Sequence, residues 1–423
     1  MSPNIPLPSP VPFEEGGIKC QEELKSSQLA GHNRQSASRI PELDGMRGVA
    51  ILLVVLFHYV WGLTGHSGNH LAVIIRDCVS MSWSGVDLFF VLSGFLIGGI
   101  LMDHRRDKDY FKTFYIRRIC RILPLYFLWV ALFFIIPALF SASASSDWYS
   151  VEFGRIPHFP QWGYFFFLQN FGMAALNGFG PNWMSVTWSL CVEEQFYLLA
   201  PLMIWLLPPR KLPAALISLI FLGLLLRLFL YLYRPLVFTY VLLPCRADGL
   251  LLGILCAYLA RNAESHNAIK HKGAWLYTLF AVLLCGMIYL AALSVKIGCF
   301  TSVNSFDMIA YGYLCIGLFY ACFLLITVTD HRGPFARLMR SRLLGHFGAV
   351  SYCIYLIHNA ILGFVHDLMV GEKSGTGHGF LDAVSTLLAF FIVWLLAVLS
   401  WKFFEKPIIV WGHSFLYGEP ETP

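Results

Sequence analysis

Ten apolar stretches, each close to the 20 or so residues that a helix needs to cross a bilayer, constrain this chain more than any other feature. They cover residues 46–63, 83–102, 122–140, 186–208, 212–233, 238–260, 274–294, 307–329, 346–370 and 380–403. In lipid each backbone N–H and C=O must find its partner inside the protein, so segments of this length are read as helices. The expected fold class is all-α, a polytopic membrane bundle. Composition agrees, with 57% of residues hydrophobic and 13% charged, where a soluble domain carries about 25%.

Charge sets the orientation. With the N-terminus inside, the cytoplasmic segments hold 23 of the 30 Lys and Arg. Each charged external loop holds one (Arg76, Arg155, Arg234, Lys296, Lys373), and Arg227 and Arg246 fall inside spans. That bias predicts both termini in the cytoplasm. The net charge of +5 follows the topology and gives no sign of nucleic-acid binding.

Residues 1–40 are polar and Pro-rich and lack the apolar core of a signal peptide, which predicts a disordered cytoplasmic tail. The membrane domain is expected over 41–406, and 407–423 as a short cytoplasmic tail. So little chain outside the spans leaves chemistry to groups in or beside them. The aromatic and Gly-rich segment 162–183, "WGYFFFLQNFGMAALNGFGPNW", reads as interfacial or re-entrant.

The eleven cysteines form no CxxC pair and lie mostly within spans, where a thiol packs as a small apolar group. Only Cys78 and Cys299 fall near external loops, and sequence leaves their pairing open. The histidines lack metal-ligand spacing such as HExxH, so no metal site is expected.

Ionisable residues inside spans are costly and by default functional candidates. The first span, within "LDGMRGVAILLVVLFHY", carries Arg47 and His58. Eleven helical residues advance about 16 Å and turn back to within about 20°, so both lie on one face three turns apart. Arg47 alone also suits a side chain snorkelling to the interface, and His58 a hydrogen bond between helices. Asp87 lies near the outer end of the second span, close to the expected level of His58. Glu193 and Glu194 sit about two turns down the fourth, and Arg246 and Asp248 occupy the sixth. Ser351, Tyr355 and His358 share a face of the ninth at i, i+4 and i+7. Singly each serves as structural glue, Arg246 as half of a buried ion pair. Together they describe a polar cavity. On the inner side, Arg117, Arg118 and Arg121 precede the third span. They read either as a topogenic signal with lipid headgroup contacts or as a clamp for a phosphorylated ligand.

Arg47 with His58, "GVDLFFVLSGFLIGG", "FYIRRICRILPLY", "TWSLCVEEQFY", "RADGLLLG" and "SYCIYLIH" resemble, in the same order, the signature blocks of acyltransferase family 3, an integral membrane family. The resemblance spans residues 40 to 406. It implies O-acylation of an extracytoplasmic or membrane-associated hydroxyl, commonly on a carbohydrate, from cytoplasmic acyl-coenzyme A, with acetyl the family's usual group. It implies functional roles for Arg47 and His58, and for Arg117, Arg118 and Arg121 as the RRxxR motif. It also implies a bacterial cytoplasmic membrane location. Some members append an SGNH hydrolase-like domain, and a stand-alone form without it is expected here.

On this reading the arginine cluster holds the coenzyme A phosphates while the long arm carries the thioester toward His58. His58 acts as general base, with Asp87 or Glu193 orienting it. Arg47, Arg246 or Tyr355 would supply the oxyanion donor. An acyl-enzyme on Ser93, Ser189 or Ser351 is a further route, and direct transfer is preferred. No permanently bound cofactor is expected; the partners are the bilayer, acyl-coenzyme A and the acceptor. A transporter, or a bundle that carries the acyl group to a partner enzyme, is the competing class, because buried charges also mark ion pathways. Against it stand the lack of a repeated half and of paired interrupted helices. A scaffold or receptor predicts no loss of chemistry on changing His58.

Overall fold

A computed structural model describes residues 40–64, 70–139, 151–154, 156, 158–233, 236–262, 273–370 and 380–418. The expected N-terminal tail, up to residue 39, and the loop residues Arg155, Arg234 and Lys373 lie outside the described residues. Among the described residues, ten helices are long and apolar enough to cross a membrane. They are α1 (Pro41–Thr64), α2 (Gly85–Asp103), α3 (Tyr110–Leu139), α4 (Trp188–Leu206), α5 (Leu212–Tyr233), α6 (Leu243–Arg261), α7 (Gly273–Ile297), α8 (Tyr313–Thr329), α9 (Ser351–Val370) and α10 (Phe380–Ser400). The protein is an integral membrane helix bundle.

The centre of the bundle is the close pair α2 and α6. A Cβ on Gly94 would lie 2.0 Å from the Leu250 carbonyl oxygen, and one on Gly253 would lie 2.2 Å from that of Val91. Without a hydrophobic drive between helices in lipid, such small residues let backbones meet and gain van der Waals contact. This approach brings Asp87 of α2 beside Arg246 of α6.

Helix α3, at 30 residues, is about 45 Å long, well beyond the hydrocarbon core. It starts at Tyr110, so Arg117, Arg118 and Arg121 ride on the helix and not on a loop before it. Tyr110 and Phe114 are buried, and the Tyr110 hydroxyl donates to the Pro201 carbonyl at 3.0 Å. These aromatics hold the helical turns where the charges interrupt the hydropathy signal.

The chain beyond Pro407 is a docked element where a short tail was expected. A π-helical turn, Trp401–Glu405, leads into a helix over Lys406–His413 that packs on α3. The Leu416 carbonyl then accepts from Thr113 Oγ1 at 3.0 Å, and the Tyr417 ring stacks on His104 at 3.7 Å.

Segment 162–183 forms a 3-10 turn (Gln161–Phe166) and short helices over Gln169–Leu176 and Asn182–Ser185. Eight residues span about 12 Å, too little to cross. Polar and aromatic contacts fix the segment to the bundle. The Tyr126 hydroxyl donates to the Tyr164 carbonyl at 2.7 Å, and Gln169 Nε2 donates to the Tyr126 hydroxyl and to Thr187 Oγ1, each at 3.0 Å. Trp129 and Trp183 stack at 4.1 Å, each indole donating to the other's carbonyl. Cys78 and Cys299 carry free thiols, the latter buried against the Ser80 carbonyl.

Candidate active site

Two cavities enter the bundle from opposite ends. The first, about 780 Å³ of empty space with open solvent included, lies at the end of α1 that bears Arg47. Arg47, Arg118 and Arg121 line it, with Glu193, Tyr197 and Ser93 deeper in. Arg47 lies 3.5 Å from Asp44. Arg118 and Arg121 have no carboxylate within 4 Å among the described residues, although the Arg118 guanidinium lies over the Tyr197 ring at 5.8 Å. Glu193 Oε2 instead accepts from the Tyr197 hydroxyl at 2.7 Å, and that hydroxyl also meets Ser93 Oγ. Half-buried guanidinium groups without anionic partners, gathered at a cavity mouth, form a site for an anion.

Arg117 departs from its neighbours. Its Nε and Nη2 donate to the Phe415 carbonyl at 3.1 and 2.8 Å, and its guanidinium covers the Tyr417 ring at 4.9 Å. Successive helical residues are turned by about 100°, so Arg118 faces the cavity while Arg117 anchors the C-terminal segment.

The second cavity is larger, about 1570 Å³ of empty space with open solvent included, and His58 lines it. Val86 and Tyr355 line both cavities, so the two adjoin there. At this junction the Tyr355 hydroxyl donates to the Val186 carbonyl at 3.1 Å and lies 2.5 Å from Ser189 Oγ. Ser351, in the first cavity, donates to the Gly348 carbonyl at 2.9 Å. Hydroxyl and carbonyl partners thus surround Ser93, Ser189 and Ser351, and among the described residues none of the three is hydrogen-bonded to a histidine.

The partner of His58 is a second imidazole, where a carboxylate was expected. His358 Nδ1 donates to the Tyr355 carbonyl at 2.7 Å, which makes its Nε2 the lone-pair nitrogen, 3.3 Å from His58 Nδ1. His58 Nδ1 lies 2.9 Å from the Val54 carbonyl and is therefore its protonated nitrogen. The hydrogen-bond network leaves His58 Nε2 as the basic nitrogen. His358 itself is fully buried, behind His58.

Asp87 is engaged elsewhere. Its Oδ1 accepts from Arg246 Nη2 at 2.7 Å, and Arg227 Nη1 bonds Asp248 Oδ2 at 2.8 Å. The Arg246 guanidinium also lies 4.3 Å from the Tyr313 ring centre. Arg246 and Asp248, expected in the polar cavity, form with Asp87 and Arg227 two buried ion pairs that join α2, α5 and α6. These charges are consumed by one another, so Arg246 is turned away from an oxyanion and Asp87 from His58.

Sequence reasoning passed over the amides that share the second cavity with His58. Asn359 Nδ2 donates to Asn182 Oδ1 at 2.7 Å and to Ser185 Oγ at 3.1 Å, and Asn182 Nδ2 donates to Glu152 Oε1 at 2.7 Å. Asn182, Ser185 and Asn359 all line the second cavity. Burial pushes the Glu152 carboxyl up to about 8, with the Asn182 hydrogen bond opposing the rise and Asp367 adding to it. Asn359 follows His358 directly in the chain, the one signal that pointed here, but an uncharged amide does not stand out in a hydropathy profile.

Residues 40–412 match the acyltransferase domain of acyltransferase family 3. The chain is 26% identical over 379 residues to the O-acetyltransferase OatA of Staphylococcus aureus, covering 87% of this chain and 57% of the relative. It is 24% identical over 395 residues to the peptidoglycan O-acetyltransferase OatA of Listeria monocytogenes, covering 89% and 56%. The chain thus spans little more than half the length of these relatives. No solved structure matches.

Proposed function

The chain belongs to acyltransferase family 3, and from that premise we propose that it is a membrane O-acetyltransferase. It moves an acetyl group from cytoplasmic acetyl-coenzyme A to a carbohydrate hydroxyl on the other side of the bilayer, with a peptidoglycan sugar as the acceptor type that the relatives' names favour. One observation carries the reading: a cavity lined by Arg118 and Arg121, neither with a carboxylate partner among the described residues, adjoins at Val86 and Tyr355 a cavity holding a histidine with a free basic nitrogen. The first suits the phosphates of coenzyme A, and the second suits a hydroxyl nucleophile. The excess of Lys and Arg on one side supports a cytoplasmic position for the basic end and both termini.

Arg118 and Arg121, with Arg47, hold the phosphates, and the arm of the donor follows the cavity past Tyr197 toward Tyr355. His58 Nε2 takes the proton of the acceptor hydroxyl as its oxygen bonds to the thioester carbonyl carbon. The tetrahedral oxyanion then collapses, the C–S bond breaks, and the thiolate leaves with the proton returned by His58. The products are an O-acetyl ester and free coenzyme A. Tyr355, at the junction of the cavities, is the candidate oxyanion donor, its hydroxyl turning from the Val186 carbonyl to the oxyanion as that charge forms. His58 Nδ1–H is held by the Val54 carbonyl at 2.9 Å, with His358 Nε2 at 3.3 Å as a second acceptor, so His358 is a positioning residue that orients the His58 ring. Direct transfer is favoured over an acyl-serine because Ser189 and Ser351 are committed to Tyr355 and Gly348.

The test uses purified protein in vesicles with acetyl-labelled coenzyme A and a saccharide. Label is expected to appear as an ester on the saccharide, with one coenzyme A released per ester. Uptake of a solute driven by a proton gradient, with the thioester untouched, would assign the buried charges to transport instead.

A further inference from the structure

The second cavity differs from the first in charge. Among its lining residues are no Lys, Arg, Asp or Glu, whereas the first presents three arginines and a glutamate. One part of its lining is aromatic, with Trp83, Trp188, Phe179 and Tyr240. Another is the amide cluster of Asn182, Ser185 and Asn359, in the same cavity as His58. Within that cluster the donors are already used: Asn359 Nδ2 on Asn182 and Ser185, Asn182 Nδ2 on Glu152 and the Asn359 carbonyl, Ser185 Oγ on the Asn182 carbonyl. Asn359 Oδ1 is left as an acceptor with no partner among the described residues. Glu152, buried and with Oε2 unpartnered, holds Asn182 from behind.

We infer that this cavity is the acceptor subsite, built for an uncharged pyranose segment that stacks on the aromatic lining and donates a hydroxyl to Asn359 Oδ1. The inference rests on the acyltransferase reading and goes on to name the substrate class. Sugar C–H faces pack on aromatic rings, and a site that pairs a hydroxyl rejects ligands lacking one. A carboxylate or phosphate on the buried part of the acceptor would enter an uncharged enclosure without a counter-charge and pay the desolvation penalty. Glu152 and Asn182 are positioning residues for Asn359.

The experiment measures binding to the full chain in nanodiscs by tryptophan fluorescence, without donor. The probes are two neutral β-1,4-linked tetrasaccharides, of glucose and of N-acetylglucosamine, and a hyaluronan tetrasaccharide carrying two carboxylates. At least one neutral probe should bind, and hyaluronan at least tenfold more weakly. Asn359→Leu should weaken the neutral probe tenfold or more while acetyl-coenzyme A binding holds. Ser185→Ala, a smaller change, should raise the acceptor KM several-fold with kcat little altered. Equal binding of neutral and charged probes, no binding of either neutral probe, or neutral binding unchanged in both variants would overturn the inference. Sugar binding without any acetyl-coenzyme A binding would instead sink the donor assignment and leave this subsite standing.

Discussion

Arg117, Arg118 and Arg121 belong to one motif, yet the structure gives them different work, and substitution should separate them. A hydrogen bond to a charged group contributes about 1.5–3 kcal/mol, and a tenfold change in affinity corresponds to about 1.4 kcal/mol. Arg118 and Arg121 are half-buried and partly screened, so the lower part of that range applies. Arg118→Ala or Arg121→Ala should therefore weaken acetyl-coenzyme A binding by roughly 10- to 30-fold. Arg117 spends two donors on the Phe415 carbonyl. Arg117→Ala should leave donor affinity within about threefold and lower thermal stability by about 1–2 kcal/mol, as the C-terminal segment loses its anchor. Titration calorimetry in nanodiscs, at low and high salt, reads the affinities and thermal melts read the stability, and salt should weaken wild-type binding far more than that of the Arg118→Ala, Arg121→Ala double variant. If Arg117→Ala weakens the donor as much as Arg118→Ala, or if no arginine matters, the division of the motif is refuted.

His358→Ala should lower kcat by about 10- to 100-fold through loss of the contact that orients the His58 ring while donor Kd holds; a matching loss of donor binding would make His358 merely structural. Asp87→Asn should destabilise the bundle by about 3–5 kcal/mol in detergent melts, because Arg246 is left buried without its charge partner. Replacing both by Leu and Met should recover most of that loss, and a double variant no better than the single would contradict the account. Glu152 binds its proton up to about pH 8 in the folded protein. The folded state then holds one more proton than the unfolded chain between the ordinary carboxylate value and pH 8, so stability should fall as pH rises through that window, by at most about 1.4 kcal/mol per unit. Glu152→Gln should flatten the slope, as read from Tm at about pH 6, 7 and 8, and an unchanged slope would place its origin elsewhere.

The helical bundle was legible because the bilayer demands about 20 apolar residues per crossing, and each span meets that demand openly. The helical extension of α3 to Tyr110 was hidden because its turns are amphipathic and lie past the hydrocarbon, where hydropathy carries no information. The helix over Lys406–His413 was missed for the same reason. Within the site, Arg47, His58, Arg118 and Arg121 announced themselves as charged or ionisable groups in apolar surroundings. Their partners did not. That Asp87 meets Arg246 follows from the glycine-mediated approach of α2 to α6, a tertiary fact with no local signature. His358 shares its helix with Tyr355, but its distance to His58 depends on how α9 packs against α1. Asn182 and Asn359 lie far apart in the chain, and a single amide is too common to mark a site.

The central claim is that His58 is the base that activates the acceptor, and the most direct measurement is single-turnover transfer by His58→Ala beside wild type. Protein in vesicles is loaded with labelled acetyl-coenzyme A, mixed with a neutral saccharide and quenched over time, with donor binding measured on the same preparation. The account predicts wild-type donor affinity in the variant and a transfer rate lowered by roughly 100- to 10,000-fold, the contribution of a positioned general base. Transfer by His58→Ala at close to the wild-type rate would contradict it.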